Sequence, residues 1–354
     1  MAESAGVIVM FVPLFFIMFI ANAAEARRTT DQPYQALALL AYISLAFLYL
    51  VGILFGVGLQ AAAPTLQRQP ELLDLLGLAD AGISLDSLGM LGLGLWLPSL
   101  VGMVLLLPPV RRAAAAVTRL DPASPVHAVA LAMSMLIIIN LLVTLGFGLG
   151  NLTTMMEAQN SANPDADGAL VTLWVQQILM ALLAVVGVGW LTRRSFGEAM
   201  ARLGITRVSG RQVLLALGLA LLMVPVVALI EYLGSLVGFG ANADVEALSE
   251  ELFGPLFQSP FGILTIGLAA ALGEEPLFRG AAQPRFGLIL TALMFALVHS
   301  NYGITISTVV VFVLGLVLGW LRRNHNTTTS MIMHASYNIT LAIIAYLSLR
   351  FLEF

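Results

Sequence analysis

The run VLLALGLALLMVPVVALI, from Val213 to Ile230, decides what kind of fold this chain can adopt. It carries no charge, and with its flanks it reaches the roughly 20 helical residues that cross a hydrocarbon core of about 30 Å. It does not alternate polar with apolar residues, as the strands of a membrane barrel do. It therefore reads as a spanning helix. Similar runs lie near 7–20, 35–62, 88–107, 127–149, 169–191, 261–280, 286–301, 303–321 and 328–349. With 212–235 they predict an all-α, polytopic membrane helix bundle of about ten transmembrane helices, the eighth of them short.

Composition agrees with the runs. Apolar residues make up 59% of the 354 and charged residues 10%, with a mean hydropathy of +0.95. A soluble domain carries about 25% charged residues, so a water-facing globule is excluded. Disorder is excluded by the same hydrophobicity. There is no cysteine, hence no disulfide, thiolate metal site or cysteine nucleophile. The net charge of −4 and the lack of a basic tract give no footprint for nucleic acid. All positive charges are arginine, which, beside the abundant Ala, Leu and Gly, points to a GC-rich bacterial genome.

The loops orient the bundle. Arginines occupy alternate connections: Arg27 and Arg28; Arg111, Arg112 and Arg119; Arg193, Arg194, Arg202, Arg207 and Arg211; Arg279 and Arg285; Arg322 and Arg323. The intervening loops are acidic: Glu71, Asp74, Asp80 and Asp86; Glu157, Asp165 and Asp167; Asp244, Glu246, Glu250 and Glu251. Only Arg68 and Arg350 break the alternation. The positive-inside rule then places the arginine loops in the cytoplasm and both termini outside. The first run, Val7 to Ile20, is followed by an Ala-Asn-Ala site, but its leader is acidic and Arg27 and Arg28 come after it. It reads as a retained span rather than a signal peptide. The five-arginine loop is the natural boundary between an N-terminal transmembrane region, 1–211, and a C-terminal region, 212–354.

Polar groups inside spans are costly and so mark candidate sites. In the N-terminal half these are Asn140, Gln176 and Gln177, expected to make interhelical hydrogen bonds. His127 is expected to be solvated, and Glu231 to snorkel at the outer end of its span. The last third differs. It reads Gly273-Glu274-Glu275-Pro276-Leu277-Phe278-Arg279-Gly280, then Phe295-Ala296-Leu297-Val298-His299, then His334-Ala335-Ser336-Tyr337-Asn338. At about 1.5 Å per residue from Arg285 and Arg323, Glu274 and His334 each lie about 16 Å deep, His299 about 21 Å and Asn338 about 22 Å. One cluster is therefore geometrically allowed, opening toward the cytoplasmic half.

Helical spacing suggests roles. Glu275 and Arg279 are i,i+4 with the acid first, the favourable order for an ion pair. Glu274 points about 100° away from that pair and is the natural general base. His334 and Asn338, also i,i+4, present two polar groups that could face a developing oxyanion. His299 could share a water with Glu274, with Phe295 one turn beneath it. Pro276 removes a backbone hydrogen bond and clashes with the Leu272 carbonyl, which predicts a kink beside the carboxylates.

The motifs Glu-Glu-x-x-x-Arg, Phe-x-x-x-His and His-x-x-x-Asn, in this order on successive apolar segments, resemble the CPBP family of intramembrane proteases, the CAAX proteases and bacteriocin-processing enzymes also called Abi. The stretch from Phe312 to Arg322, with Gly315 and Gly319 as a small-xxx-small face, is similar to the family pattern. The resemblance covers residues 261–349. Pro276 departs from the aliphatic residue more usual there. The resemblance implies an endopeptidase acting on a membrane-associated protein or peptide, in which Glu274 and His299 activate water while His334 and Asn338 stabilise the oxyanion. It leaves open a glutamate-type hydrolase and a metal enzyme, and a zinc held by Glu274, His299 and His334 is compatible in ligand type. A non-catalytic scaffold or bacteriocin-immunity factor of the same fold is the alternative. A proton-coupled transporter ranks last, because no inverted repeat is visible.

Overall fold

A computed structural model describes residues 2–69, 71–75, 85–162, 166–240 and 242–351. Asp80 and Asp165, counted above in the acidic loops, lie outside the described residues. Among those described, the chain is helical and forms no β-strand.

The helices run in chain order from α1 (Ala2–Arg28) and α2 (Gln35–Arg68) through the short α3 (Glu71–Leu75) to α4 (Leu85–Leu105). A short α5 (Pro108–Val117) leads to α6 (Pro125–Met133) and α7 (Met135–Phe147), which together make one span. Then come α8 (Leu149–Ala162), α9 (Ala166–Gly187), α10 (Phe196–Leu203) and α11 (Gly210–Leu236). The last group is α12 (Ala243–Phe257), α13 (Pro260–Glu275), a π-helix (Pro276–Ala282), α14 (Gln283–Phe286), α15 (Leu288–Val298), α16 (Ile306–Asn324) and α17 (Thr327–Phe351).

Local chemistry sets many of these starts. Ser195 with Glu198, and Ser209 with Gln212, form capping boxes at α10 and α11. Ser124 before Pro125 and Ser259 before Pro260 cap α6 and α13, each serine accepting from the backbone N–H three residues on.

Among the described residues nine helices are long and apolar enough to cross a membrane. The expected eighth span is the exception. Its helix, Leu288–Val298, has 11 residues, or about 16 Å, about half of a hydrocarbon core. A 3-10 turn, Ser300–Tyr302, carries the chain on to Gly303, which sits against Leu145 and Leu149. The helix stops where His299 begins, so that imidazole leaves a helix end rather than a helix side. The span Gly210–Leu236 is only 22% buried, so most of its apolar surface faces outward, as a lipid-facing helix requires.

Two cores organise the bundle. One joins α1, α2, α6 and α9 around Ile17, Leu45, Tyr49 and Val129, with the Tyr49 hydroxyl donating to the Ala132 carbonyl at 2.7 Å. The other gathers α11, α15, α16 and α17 around Phe278, Phe295, Leu314, Leu318 and Met333. Helix α9 lies between them, packed on α1 and on α13.

Candidate active site

Glycines set the distances between the helices that carry the site. A Cβ on Gly273 would strike the Gln177 side chain and stand 2.7 Å from its backbone oxygen, so α13 touches α9 there. A Cβ on Gly267 would stand 2.6 Å from the Ala335 carbonyl, so α13 also touches α17. These two approaches put Glu274 between Gln177 and His334. On α16, Gly315 faces Ala292 and Gly319 faces Leu288 and Gln283, which draws α15 in and fixes Phe295 and His299. Replacing Gly273 with Ala is expected to push α9 and α13 apart, at a cost of about 1–3 kcal/mol for overpacking. Thermal unfolding in detergent should fall by several degrees; an unchanged midpoint would mean the contact is not needed.

Pro276 does more than kink the helix. It begins a full π-helix, Pro276–Ala282, next to the carboxylate pair. The wider π turn absorbs the missing N–H, and Gly280 lets it lie against Leu203, whose backbone oxygen would be 2.9 Å from an added Cβ.

Glu274 and Glu275 are both buried, and the structure separates them by partner. Glu275 is wholly buried. Its Oε2 is 3.4 Å from Arg279 Nε, and its Oε1 is 3.0 Å from His334 Nδ1. It thus serves two residues, where the sequence suggested only Arg279. Arg279, also wholly buried, lays its guanidinium over the Phe295 ring at 4.1 Å. The same ring meets the His299, His334 and Phe278 rings edge-on, with centroids 4.8, 5.9 and 5.4 Å away. Phe295 is the apolar post around which the charged groups are arranged.

Glu274 faces the other way. Its Oε1 accepts from Gln177 Nε2 at 3.4 Å. Its Oε2 has no hydrogen-bond partner among the described residues and lies 3.8 Å from His299 Nε2 and 4.0 Å from His334 Nε2. The tautomers follow from the other ring nitrogens. His299 Nδ1 is 2.7 Å from the Phe295 carbonyl, which can only accept, so Nδ1 donates. His334 Nδ1 donates to the Glu275 carboxylate in the same way. In neutral imidazoles both Nε2 atoms then carry lone pairs. Three acceptors therefore converge at a spacing too long for direct bonding and suited to one bridging water.

These groups line a cavity of about 570 Å³, within the range of ligand sites. Asn338 is in its wall, one helical turn beyond His334, as is Tyr302, stacked on His299 at 6.0 Å. From the cluster the cavity runs past Val227, Ile266, Ser307 and Ala342 to Glu231, exposed at its rim. Phe253 and Phe257 of α12 cover that end. All of these lie toward the acidic loops. Phe278, Leu318, Leu321 and Met333, nearer the arginine loops in the chain, pack together as buried core. The cavity thus extends from the cluster toward the acidic loops, a course that depth along a helix does not specify and that side-chain packing sets.

Zinc takes three protein ligands at about 2.0–2.2 Å in a catalytic site. Glu274, His299 and His334 offer the right atoms, but among the described residues no group of three or more His, Asp or Glu is arranged to hold a metal ion.

Sequence reasoning missed Gln177 as part of the site. Its signal was present, an amide in an apolar span, but the helix it would meet was not legible. Asn140 does bond between segments, donating to the Ser300 hydroxyl at 2.9 Å and the Val298 carbonyl at 3.3 Å, and so steadies the chain on both sides of His299.

Residues 256–340 match the family described as type II CAAX prenyl endopeptidase Rce1-like. This stretch is similar to the domain of that family. It contains all three motifs and bears out the CPBP resemblance over that length. The Rce1-like match supports intramembrane endopeptidase activity in general and leaves residues 1–255 and 341–354 without a family assignment. No curated protein and no solved structure matches the chain.

Proposed function

We propose that this chain hydrolyses a peptide bond of a membrane-associated substrate with a water activated by Glu274 and His299. The observation that carries the reading is the convergence of Glu274 Oε2 with the two Nε2 atoms in the cavity wall. A water there donates one proton toward Glu274 and the other toward His299. As its oxygen bonds to the scissile carbonyl carbon, Glu274 takes a proton. The carbonyl oxygen gains negative charge and receives hydrogen bonds from the Asn338 amide and from His334 Nε2. For His334 to donate there it must hold a proton on both nitrogens, and Glu275 supplies the countercharge. Glu274 then passes its proton to the leaving nitrogen as the C–N bond breaks, giving a carboxylic acid and an amine.

The course of the cavity toward the acidic loops, read with the positive-inside rule, supports substrate entry from the non-cytoplasmic side. We assign residues 1–211 the task of carrying α7 and α9, and with them Asn140 and Gln177, to the Rce1-like region.

The test compares membrane proteomes from cells with wild-type protein and cells with His299→Ala, read for new C-termini. A set of cleavage products present only with wild type is expected. Identical sets, with the variant folded and inserted, would overturn the assignment of His299.

A further inference from the structure

A second cavity, of about 390 Å³, lies at the arginine-rich end of the bundle, on the other side of Met180 and Val298 from the first. Arg28, Arg193, Arg194, Arg202 and Arg285 line its outer part, with Glu25 and Asp121. Both acids are engaged by Arg28, whose Nη2 is 2.8 Å from each. Glu25 also accepts from the Ser124 hydroxyl at 2.9 Å. The other four arginines have no carboxylate within ion-pair distance among the described residues. Arg193 donates to Asn22 at 3.1 Å, Arg202 to the Gly280 carbonyl at 3.1 Å and Arg194 to the Val188 carbonyl, all neutral acceptors. Arg285 Nε is buried without a hydrogen-bond partner. Burial, and then the neighbouring arginines, pull Arg193 and Arg202 down to about 10. His127, expected to be solvated, is half-buried in this wall and accepts from the Asp121 backbone N–H at 2.9 Å.

Arginines kept in the cytoplasm for topology need only water around them. These are partly buried, crowded together and short of countercharge, which is costly without an anion. The inner part of the cavity is of another kind. Leu14, Met18, Met133, Ile137 and Leu183 line it with apolar groups. Along α1, Leu14 is about 21 Å from Arg28, and along α6 and α7 Ile137 is about 15 Å from His127. The cavity is thus cationic at the membrane surface and apolar in depth.

We propose that this cavity binds an anionic phospholipid, its phosphate among Arg193, Arg194, Arg202 and Arg285 and one acyl chain along the apolar depth. Arginine suits a phosphate because its planar fork gives paired charge-assisted hydrogen bonds.

The test uses the full chain purified in detergent, with phosphatidylglycerol, phosphatidylcholine and inorganic phosphate as separate probes, read by thermal unfolding and native mass spectrometry. Phosphatidylglycerol is expected to raise the midpoint by several degrees over phosphatidylcholine and to stay bound as one retained lipid. Arg285→Gln is expected to weaken that retention about tenfold. Met133→Trp, which fills the depth with every charge intact, should abolish it, and serves if the arginine variant fails to fold. An equal rise with inorganic phosphate would overturn the lipid. So would equal retention of the two lipids, or full retention by Met133→Trp.

Discussion

Glu274→Gln is expected to lower peptide cleavage by about 10²–10⁴-fold, the usual worth of a positioned general base. The substitution is close to isosteric, so the helix contacts made through Gly267 and Gly273 are unaffected. The remaining amide oxygen can still accept from Gln177 Nε2. What is lost is the capacity to take the water's proton at Oε2 and return it to the leaving nitrogen. The measurement is turnover of a substrate found by the C-terminal comparison, with wild-type and variant protein reconstituted at equal amounts. Unfolding midpoints should agree within a few degrees. Near-normal turnover would move the base elsewhere. If cleavage vanishes while the cellular phenotype persists, the scaffold reading is the correct one for that phenotype.

Arg279→Met is expected to destabilise the protein by about 3–5 kcal/mol, because removing one partner of a buried ion pair leaves the other charge uncompensated. The stranded group is Glu275, wholly buried, with His334 its one remaining partner among the described residues. The Phe295 ring also loses the cation on its face, worth about 2 kcal/mol when desolvated. The cycle Arg279→Met, Glu275→Gln and the double variant separates these contributions. The double variant should recover much of the stability, since neither charge remains. It should not recover cleavage, since Glu275 also orients His334. Recovery of both would reduce Glu275 to a structural partner of Arg279.

The fold class was legible because apolar runs such as 213–230 have one stable solution in a bilayer: the backbone must satisfy its own hydrogen bonds. The spacing of site groups along each helix was legible too, since helical rise is fixed. The short segment 286–301 was visible as short, but its termination at Val298 was not, because the stop depends on Asn140 and Gly303 meeting distant partners.

The residues that gather at the site could be named from three motifs. Their partners could not. Spacing on one helix pairs Glu275 with Arg279, whereas its contact with His334 crosses between helices. Gln177 looked like any amide in a span until Gly273 brought α9 against it. The course of the cavity, past Val227 and Ala342 to Glu231 with Phe253 and Phe257 of α12 in its wall, was likewise visible only in the packing. Periodicity and charge act along the chain, and they determined the helices and which loops carry the charge. Pairing and access depend on which surfaces meet, and only the tertiary packing decided those.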